Sequence, residues 1–338
     1  MKILVTGGLG YIGSHTAIEL SKDYETVIVD NLINSNISTL KGINKIGFSK
    51  IIFEKLDLCN LNDVKSLFKK HPNIEGVIHF AALKNVSESV KDPLSYYQNN
   101  IISLLNLLSE INERKMKINF IFSSSCAVYG QSENLPISEN EIKKPALSPY
   151  GNTKQICEDI LTDFSKINSK FNVVSLRYFN PIGAHESGEI GELPKGEPQN
   201  LVPYITQSAA KIRGKLTIFG NNYNTPDGTC IRDYIHVVDL AKAHICALNY
   251  LLDNKGVNNE FFNIGTGKGN SVLEIINSFE KVTGKKVVYK IGPRRPGDIT
   301  AAYADNEKAL KYLHWKPNYS LEDALLSAWN WEKNYRKT

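Results

Sequence analysis

An apolar run, Lys2-Ile3-Leu4-Val5-Thr6, meets Gly7-Gly8-Leu9-Gly10-Tyr11-Ile12-Gly13 almost at the start of the chain, and a helical pattern carrying Ile12, Ala17, Ile18 and Leu20 follows directly. This junction of strand, glycines and helix restricts the fold more than any other stretch. The glycines satisfy both Gly-x-x-Gly-x-x-Gly, counted from Gly7, and Gly-x-Gly-x-x-Gly, counted from Gly8. Without Cβ atoms they permit a tight turn and let backbone amides approach a pyrophosphate at the helix N-terminus. Glycine turns are common, and it is the flanking strand and helix that make this one a dinucleotide signal. The next strand, Thr26-Val27-Ile28-Val29, ends at Asp30. An acid about 20 positions after the glycines is expected to hold adenosine ribose hydroxyls. Its charge would repel a 2′-phosphate and Asn31-Leu32 supplies no arginine, so NAD is expected rather than NADP.

Further apolar runs follow at Ile51-Ile52-Phe53-Glu54, Gly76-Val77-Ile78-His79-Phe80, Ile118-Asn119-Phe120-Ile121-Phe122 and Val173-Val174-Ser175-Leu176-Arg177-Tyr178. Strands alternating with helices over about 180 residues predict an α/β fold with a doubly wound, Rossmann-type parallel sheet. From Pro181 to Gly196 the chain turns rich in Gly, Pro and Glu, which suits a loop opening a second, smaller α/β domain. The expected division is 1–180 for the cofactor and 181–338 for the substrate. Asp57-Leu58 follows the third strand as an adenine contact, and the small residues of Ala81-Ala82-Leu83-Lys84 let the chain pass close to the cofactor. His79, inside an apolar run, reads as a core histidine.

The chemistry concentrates between Ile118 and Lys154. The apolar strand gives way to Ser123-Ser124-Ser125, and after an irregular passage Ser148-Pro149-Tyr150 opens a helix with an apolar stripe of Ile156, Ile160, Leu161 and Phe164. Ser148 can cap this helix and Pro149 suits its first position. Tyr150 and Lys154, four apart, project from one face. A phenol is a poor base at neutral pH, and a neighbouring ammonium is expected to lower its pKa. A hydroxyl such as Ser125 can hold or relay the proton of a substrate alcohol. The same spacing recurs at Tyr312 and Lys316, where Pro317 disfavours a helix and the match reads as accidental.

The bulk numbers exclude other classes. In 338 residues the net charge is only +5, with basic residues dispersed, so there is no nucleic-acid footprint. The five cysteines contain no Cys-x-x-Cys and read as reduced thiols in a cytoplasmic protein, and the seven histidines show no His-Glu-x-x-His, so no metal site is expected. The N-terminus enters a strand at once, leaving no room for a signal peptide, and the longest apolar stretch, Ile101 to Ile111, is interrupted by Ser103, Asn106, Ser109 and Glu110 and cannot span a bilayer. The helices near 96–112 and 150–167 carry more apolar face than one sheet needs, which predicts a four-helix homodimer interface.

Taken together, Gly7 to Gly13, Ser123-Ser124-Ser125, Tyr150-x-x-x-Lys154 and Arg177-Tyr178-Phe179-Asn180-Pro181 resemble the extended short-chain dehydrogenases acting on nucleotide sugars, and among them the UDP-glucose 4-epimerases. Particularly specific are Tyr178 to His185, Asp227-Gly228-Thr229 through Arg232 to Val237, and Arg294-Arg295-Pro296-Gly297-Asp298. The resemblance runs over essentially the whole chain. It implies Tyr150 as the base, Lys154 as its partner on the nicotinamide ribose and Ser125 as the hydroxyl contacting the sugar. Cofactor contacts would fall on Gly7, Gly10, Tyr11, Ile12, Gly13, Asp30, Asn31, Asp57, Leu58, Phe80, Ala81, Lys84, Asn99, Ser123, Tyr150, Lys154 and Tyr178. The UDP-sugar would be held by Ser125, Tyr150, Asn180, Asn200, Leu201, Phe219, Arg232, Arg295, Asp298 and Ala302. The implied reaction removes a hydride from C4 to tightly held NAD, turns the 4-keto sugar over, and returns the hydride to its other face. Alanine at 302, where members restricted to non-acetylated sugars resemble each other in carrying tyrosine, implies room for an N-acetyl group. A 4,6-dehydratase would need an Asp-Glu pair where Cys126 and Ala127 stand; a 4-reductase, a decarboxylase or a non-catalytic NAD-sensing regulator stay open as alternatives.

Overall fold

The computed structural model describes residues 1–47, 51–254, 257–295 and 298–337. In chain order it runs β1 (Lys2–Thr6), α1 (Tyr11–Leu20), β2 (Glu25–Val29), α2 (Ser38–Ile46), β3 (Ile52–Glu54), α3 (Leu61–Lys70) and β4 (Ile74–His79). Helices α4 (Val86–Lys91) and α5 (Pro93–Glu113) lead to β5 (Ile118–Ser125), α6 (Pro149–Ile167) and β6 (Phe171–Tyr178). Beyond them come β7 (Asn180–Ile182), α7 (Leu201–Ala209), β8 (Leu216–Phe219), β9 (Ile231–Arg232), β10 (Tyr234–His236) and α8 (Val237–Asp253). The remaining elements are β11 (Asn259–Ile264), β12 (Asn270–Ser271), α9 (Val272–Thr283), β13 (Tyr289–Gly292), β14 (Ala301–Ala302), α10 (Glu307–Tyr312) and α11 (Leu321–Tyr335).

Alternation along β1 explains the layering. Ile3 and Val5 face one apolar cluster with Ile18 of α1 and Leu240, Ala243 and Leu248 of α8, whereas Leu4 faces another with Leu67 of α3, Leu104 and Leu107 of α5 and Leu161 of α6. Both faces of the sheet are therefore covered, as an all-parallel sheet requires. Its order is β11-β6-β5-β4-β1-β2-β3, and every pairing is parallel. The order reverses between β1 and β4, and ligands in open α/β sheets bind beyond the strand ends at such a reversal. This is the doubly wound architecture expected from the sequence. The seventh strand comes from the second half: β11 pairs with β6, and α8 packs beside α1. Residues after 180 thus complete the first layer as well as building the second.

The second layer has its own core, in which Val202 and Ile205 of α7, Ile218 of β8, Ile276 and Phe279 of α9 and Leu325 and Trp329 of α11 pack together. Its strands form small sheets, β10-β7, β12-β9-β14 and β13-β8. Among the described residues no helix is long and apolar enough to cross a membrane. Helix α10 stops at Tyr312, so Tyr312 and Lys316 share no helical face, as Pro317 led one to expect. His79 is buried and bonded through Nδ1 to Thr6 Oγ1 at 2.8 Å, a core histidine.

Candidate active site

The serines are the last three residues of β5, where the sequence placed the end of the strand. Ser123, Ser124 and Ser125 pair with Leu176, Arg177 and Tyr178 of β6, and all three are buried. Polar residues are tolerated there because each finds a partner: Ser123 bonds the Tyr178 phenol, and Ser124 Oγ donates to Glu158 at 2.7 Å. Ser125 Oγ accepts from Ala127 N at 3.2 Å, capping the single 3₁₀ turn Cys126–Tyr129. Helix α6 starts as its sequence dictates, with Ser148 Oγ accepting from Gly151 N at 3.1 Å and Pro149 in the first turn. Its face carries Tyr150, Lys154 and Glu158 at successive turns toward β5.

Burial raises the Tyr150 phenol to about 12, against the pull of the Ser125 hydroxyl beside it. Burial likewise brings Lys154 down to about 8. The expectation that Lys154 lowers the phenol pKa is not met in this arrangement. The ammonium donates instead to Ser123 O at 2.6 Å and lies 4.8 Å from the Phe122 ring. One turn on, Glu158 takes Arg177 with both oxygens at 2.8 Å, as well as Lys143 at 2.9 Å. Burial pushes this carboxyl up, but Arg177 more than offsets it and the group is held below its usual range. Arg177 also donates to Tyr129 Oη at 3.0 Å. The sequence reading passed over Glu158, although its spacing from Lys154 could have revealed it.

The glycine loop leaves no room for side chains. Gly7 has φ +65°, and a Cβ there would stand 2.8 Å from Ala81 N; one on Gly13 would stand 2.4 Å from Gly7 O. Gly10 precedes α1 in extended conformation, with no side-chain cap and no acid in the first turn, so the helix opens on free amides. Asp30 accepts from Leu9 N (3.1 Å), Leu32 N (2.8 Å) and Ser35 Oγ (2.6 Å), bracing the loop from the β2 end. Asn31 accepts from Ile33 N at 3.0 Å. A cation not foreseen from the sequence lies close by: Lys195 Nζ donates to Leu32 O (2.6 Å) and Ile33 O (2.9 Å).

Around the same strand ends, Asp57 accepts from Cys59 N at 2.9 Å, and Leu58 is buried, its carbonyl taking Asn106 Nδ2 at 2.8 Å. Ile12 packs half-buried against the α1–α8 core, Phe80 lies 4.7 Å from the His244 ring, and Asn99 Nδ2 donates to Asn100 at 3.0 Å. Tyr11 Oη reaches the second layer, donating to Gly183 O at 2.6 Å. These features suit a dinucleotide: close-packed glycines, an uncapped helix start and a strand-end acid.

Facing them are the residues assigned to the sugar nucleotide. Arg232 pairs with Asp298, to which Tyr223 Oη also donates at 3.4 Å. Arg295 lies 4.0 Å from the centre of the Phe219 ring, and Arg294 stacks at the same distance on Tyr223. Tyr223 was absent from the sequence reading. Pro296 and Gly297, part of the motif quoted above, lie outside the described residues. Asn200 and Leu201 stand at the start of α7, and Asn180 is exposed at the start of β7. Ala302 pairs with Arg232 and is buried beside Val128, Tyr129 and Phe179. Tyr303 packs against Gly269. The two sides adjoin: Cys126, next to Ser125, packs against the cluster that holds Ala302, and Ala302 pairs with Arg232.

The chain has counterparts among known proteins. A family model described as GDP-mannose 4,6 dehydratase matches residues 4–327. A UDP-glucose 4-epimerase of Dictyostelium discoideum is 48% identical, over 98% of this chain and 95% of its own. A crystal structure of UDP-glucose 4-epimerase from Bifidobacterium longum in complex with NAD+ and UDP superimposes with a TM-score of 0.95 at 44% identity, covering 99% of both chains. One from Stenotrophomonas maltophila, with bound NAD and formylated UDP-arabinopyranose, gives 0.95 at 42% identity over 100% of this chain and 99% of the other. With the serine strand, the Tyr150 helix and the glycine loop in the same continuous match, the chain belongs to the UDP-glucose 4-epimerases, within the extended short-chain dehydrogenases.

Proposed function

We propose that the protein interconverts UDP-glucose and UDP-galactose by oxidising and re-reducing C4 of the hexose, with NAD as its cofactor and the UDP-sugar as its substrate. The observation that supports this is the strand-end Ser125 with Tyr150 and Lys154 on one helix face, adjoining through Cys126 and Ala302 the strand that carries Arg232. NAD, when bound, supplies a ring that accepts a hydride from C4 and gives it back. Tyr150 takes the proton of the C4 hydroxyl and later returns it, and Ser125 holds that oxygen. Lys154, one turn after Tyr150, would hold the nicotinamide ribose. Asp30, Asp57 and the glycine loop would hold the adenosine and pyrophosphate, with Lys84, Asn99, Ser123 and Tyr178 nearer the ring.

Inversion requires the hexose to show both faces to one base, so binding belongs on the UDP. Arg232 and Arg295 meet the diphosphate, Phe219 and Asp298 the nucleoside, and Asn180, Asn200 and Leu201 the link between them. The matching family model bears the name of a dehydratase, but Cys126 and Ala127 occupy the positions where elimination needs an acid–base pair, and alanine carries no proton. We assign the cofactor chiefly to 1–180 and the UDP-sugar to 181–338. Incubation with UDP-galactose and a coupled UDP-glucose dehydrogenase should produce UDP-glucose; no product from NAD-replete protein would exclude the reading.

Ala302, with Tyr303 packed against Gly269, supports turnover of UDP-GlcNAc and UDP-GalNAc as well. Ala302→Tyr should cut that activity by about tenfold or more while sparing UDP-galactose; equal loss on both would rule the pocket wall out. Helices α5 and α6 pack together, and Leu94, Ile102 and Leu105 of α5 are exposed, which supports a homodimer through these helices. Sedimentation as monomer alone at micromolar concentration would remove that assignment. A reducing, cytoplasmic setting is supported by the five free cysteines.

A further inference from the structure

Asp233 belongs to a motif quoted above, yet no role falls to it there. It is the single residue between β9 and β10, and those strands enter different small sheets, β12-β9-β14 and β10-β7. With two residues, β9 is too short for its ladder alone to fix where the Arg232 side chain starts. The fixing comes from Asp233. Its backbone N–H donates to Ala302 O at 3.0 Å, and its carbonyl accepts from Asn180 N at 2.9 Å. Arg232, Ala302 and Asn180, three residues read as substrate contacts, therefore meet at this one position.

The side chain completes the joint. Its Oδ1 accepts from Thr266 N (2.8 Å) and Thr266 Oγ1 (2.6 Å), and its Oδ2 from Gly267 N and Ala304 N (both 3.1 Å). Three of these four partners are backbone N–H groups, which only donate, and both oxygens face at least one of them. A carboxylate satisfies them all, whereas an amide in either orientation sets its NH2 against an N–H. A Cβ on Gly265 would stand 2.4 Å from Oδ2, so the 265–267 turn wraps the carboxylate closely. That turn directly follows β11, whose Ile264 O accepts from Phe179 N at 3.3 Å just past the end of β6. Asp233 thus ties the substrate strands to the seven-stranded sheet that carries Ser125.

We propose that Asp233 is a positioning residue for the nucleotide grip: its carboxylate holds β9 where Arg232 meets the diphosphate, in register with the Tyr150 side of the site. This deepens the UDP-sugar reading and rests on it. At 0% exposed, Asp233 acts through Arg232 rather than on the ligand.

The test is calorimetric titration of UDP into the full-length protein, held well below its unfolding temperature. Asp233→Asn should raise the Kd about tenfold, the scale of one charge-assisted bond. In an Arg232→Ala background, where the group it places is gone, Asp233→Asn should add less than about twofold. A merely structural role would produce the same loss in both backgrounds. Where Asp233→Asn does not fold, Thr266→Val removes the hydroxyl bond alone and should weaken UDP about threefold, again only while Arg232 is present. Unchanged affinity in the folded variant, or an undiminished loss in the Arg232→Ala background, would overturn the proposal. Failure of the wild-type protein to bind UDP would instead remove the substrate reading beneath it.

Discussion

The two walls of the cleft are built on different terms. On the β5–α6 side polar groups are buried and bound to each other: the side chains of Glu158 and Arg177 are 0% and 3% exposed, and Ser123, Ser124 and Lys154 are spent on protein partners. On the opposite wall, Arg232 and Asp298 keep 16% and 19% of their side chains exposed, and Arg294 and Arg295 rest on aromatic faces. One wall is preorganised and the other exchangeable. On the proposed reading this division suits an enzyme that turns its substrate over, with a base that does not move and a nucleotide grip that trades protein partners for phosphate.

The largest effect expected from this contrast is on the fixed wall. If Tyr150 is the proposed proton carrier, Tyr150→Phe should remove it without disturbing UDP binding. Steady-state kinetics should show kcat down by about 10²- to 10⁴-fold with UDP affinity nearly unchanged. A parallel loss of UDP binding would show that the walls are not separate.

Stability should divide the same way. Glu158→Ala strands Arg177 in the interior and should cost about 3–5 kcal/mol in urea unfolding. Arg232→Ala, at a partly exposed pair, should cost under about 1 kcal/mol of stability yet weaken UDP about ten- to a hundredfold. Equal destabilisation by the two substitutions would erase the contrast.

A smaller effect concerns pH. Burial, aided by the Lys154 charge, pushes His79 down to about 3. Its folded pKa lies below the unfolded value near 6.5, so below that value the unfolded chain binds the extra proton. The stabilisation is complete above about pH 6.5 and is lost as pH falls toward 3, by up to about 1.4 kcal/mol per pH unit. Urea midpoints compared at pH 7 and pH 5 should show this slope, and His79→Gln should reduce it only by its share, since burial lowers His15, His236 and His244 as well.

Much of the fixed wall was legible because it is local. Apolar runs marked β1 to β6, and the helix carrying Tyr150 and Lys154 announced itself through Ser148 and Pro149. What escaped depends on distant partners. The three serines were placed correctly at the strand end, but the groups that satisfy two of them, Tyr178 and Glu158, arrive from later elements. Strand β11 escaped because the second layer separates it from the first six strands. The second wall escaped more fully, since two-residue strands such as β9 and β14 have no periodicity to read, and there only whole-motif resemblance located residues. Asp233 and Tyr223, outside the roles that resemblance assigned, emerged only from their contacts.

The central claim is that one hydrogen leaves C4 and the same hydrogen comes back. UDP-galactose carrying deuterium at C4, converted in ordinary water and examined by mass spectrometry and NMR, tests it directly. The label should be found intact at C4 of the UDP-glucose formed. Its loss to solvent, or its appearance at another carbon, would contradict the account.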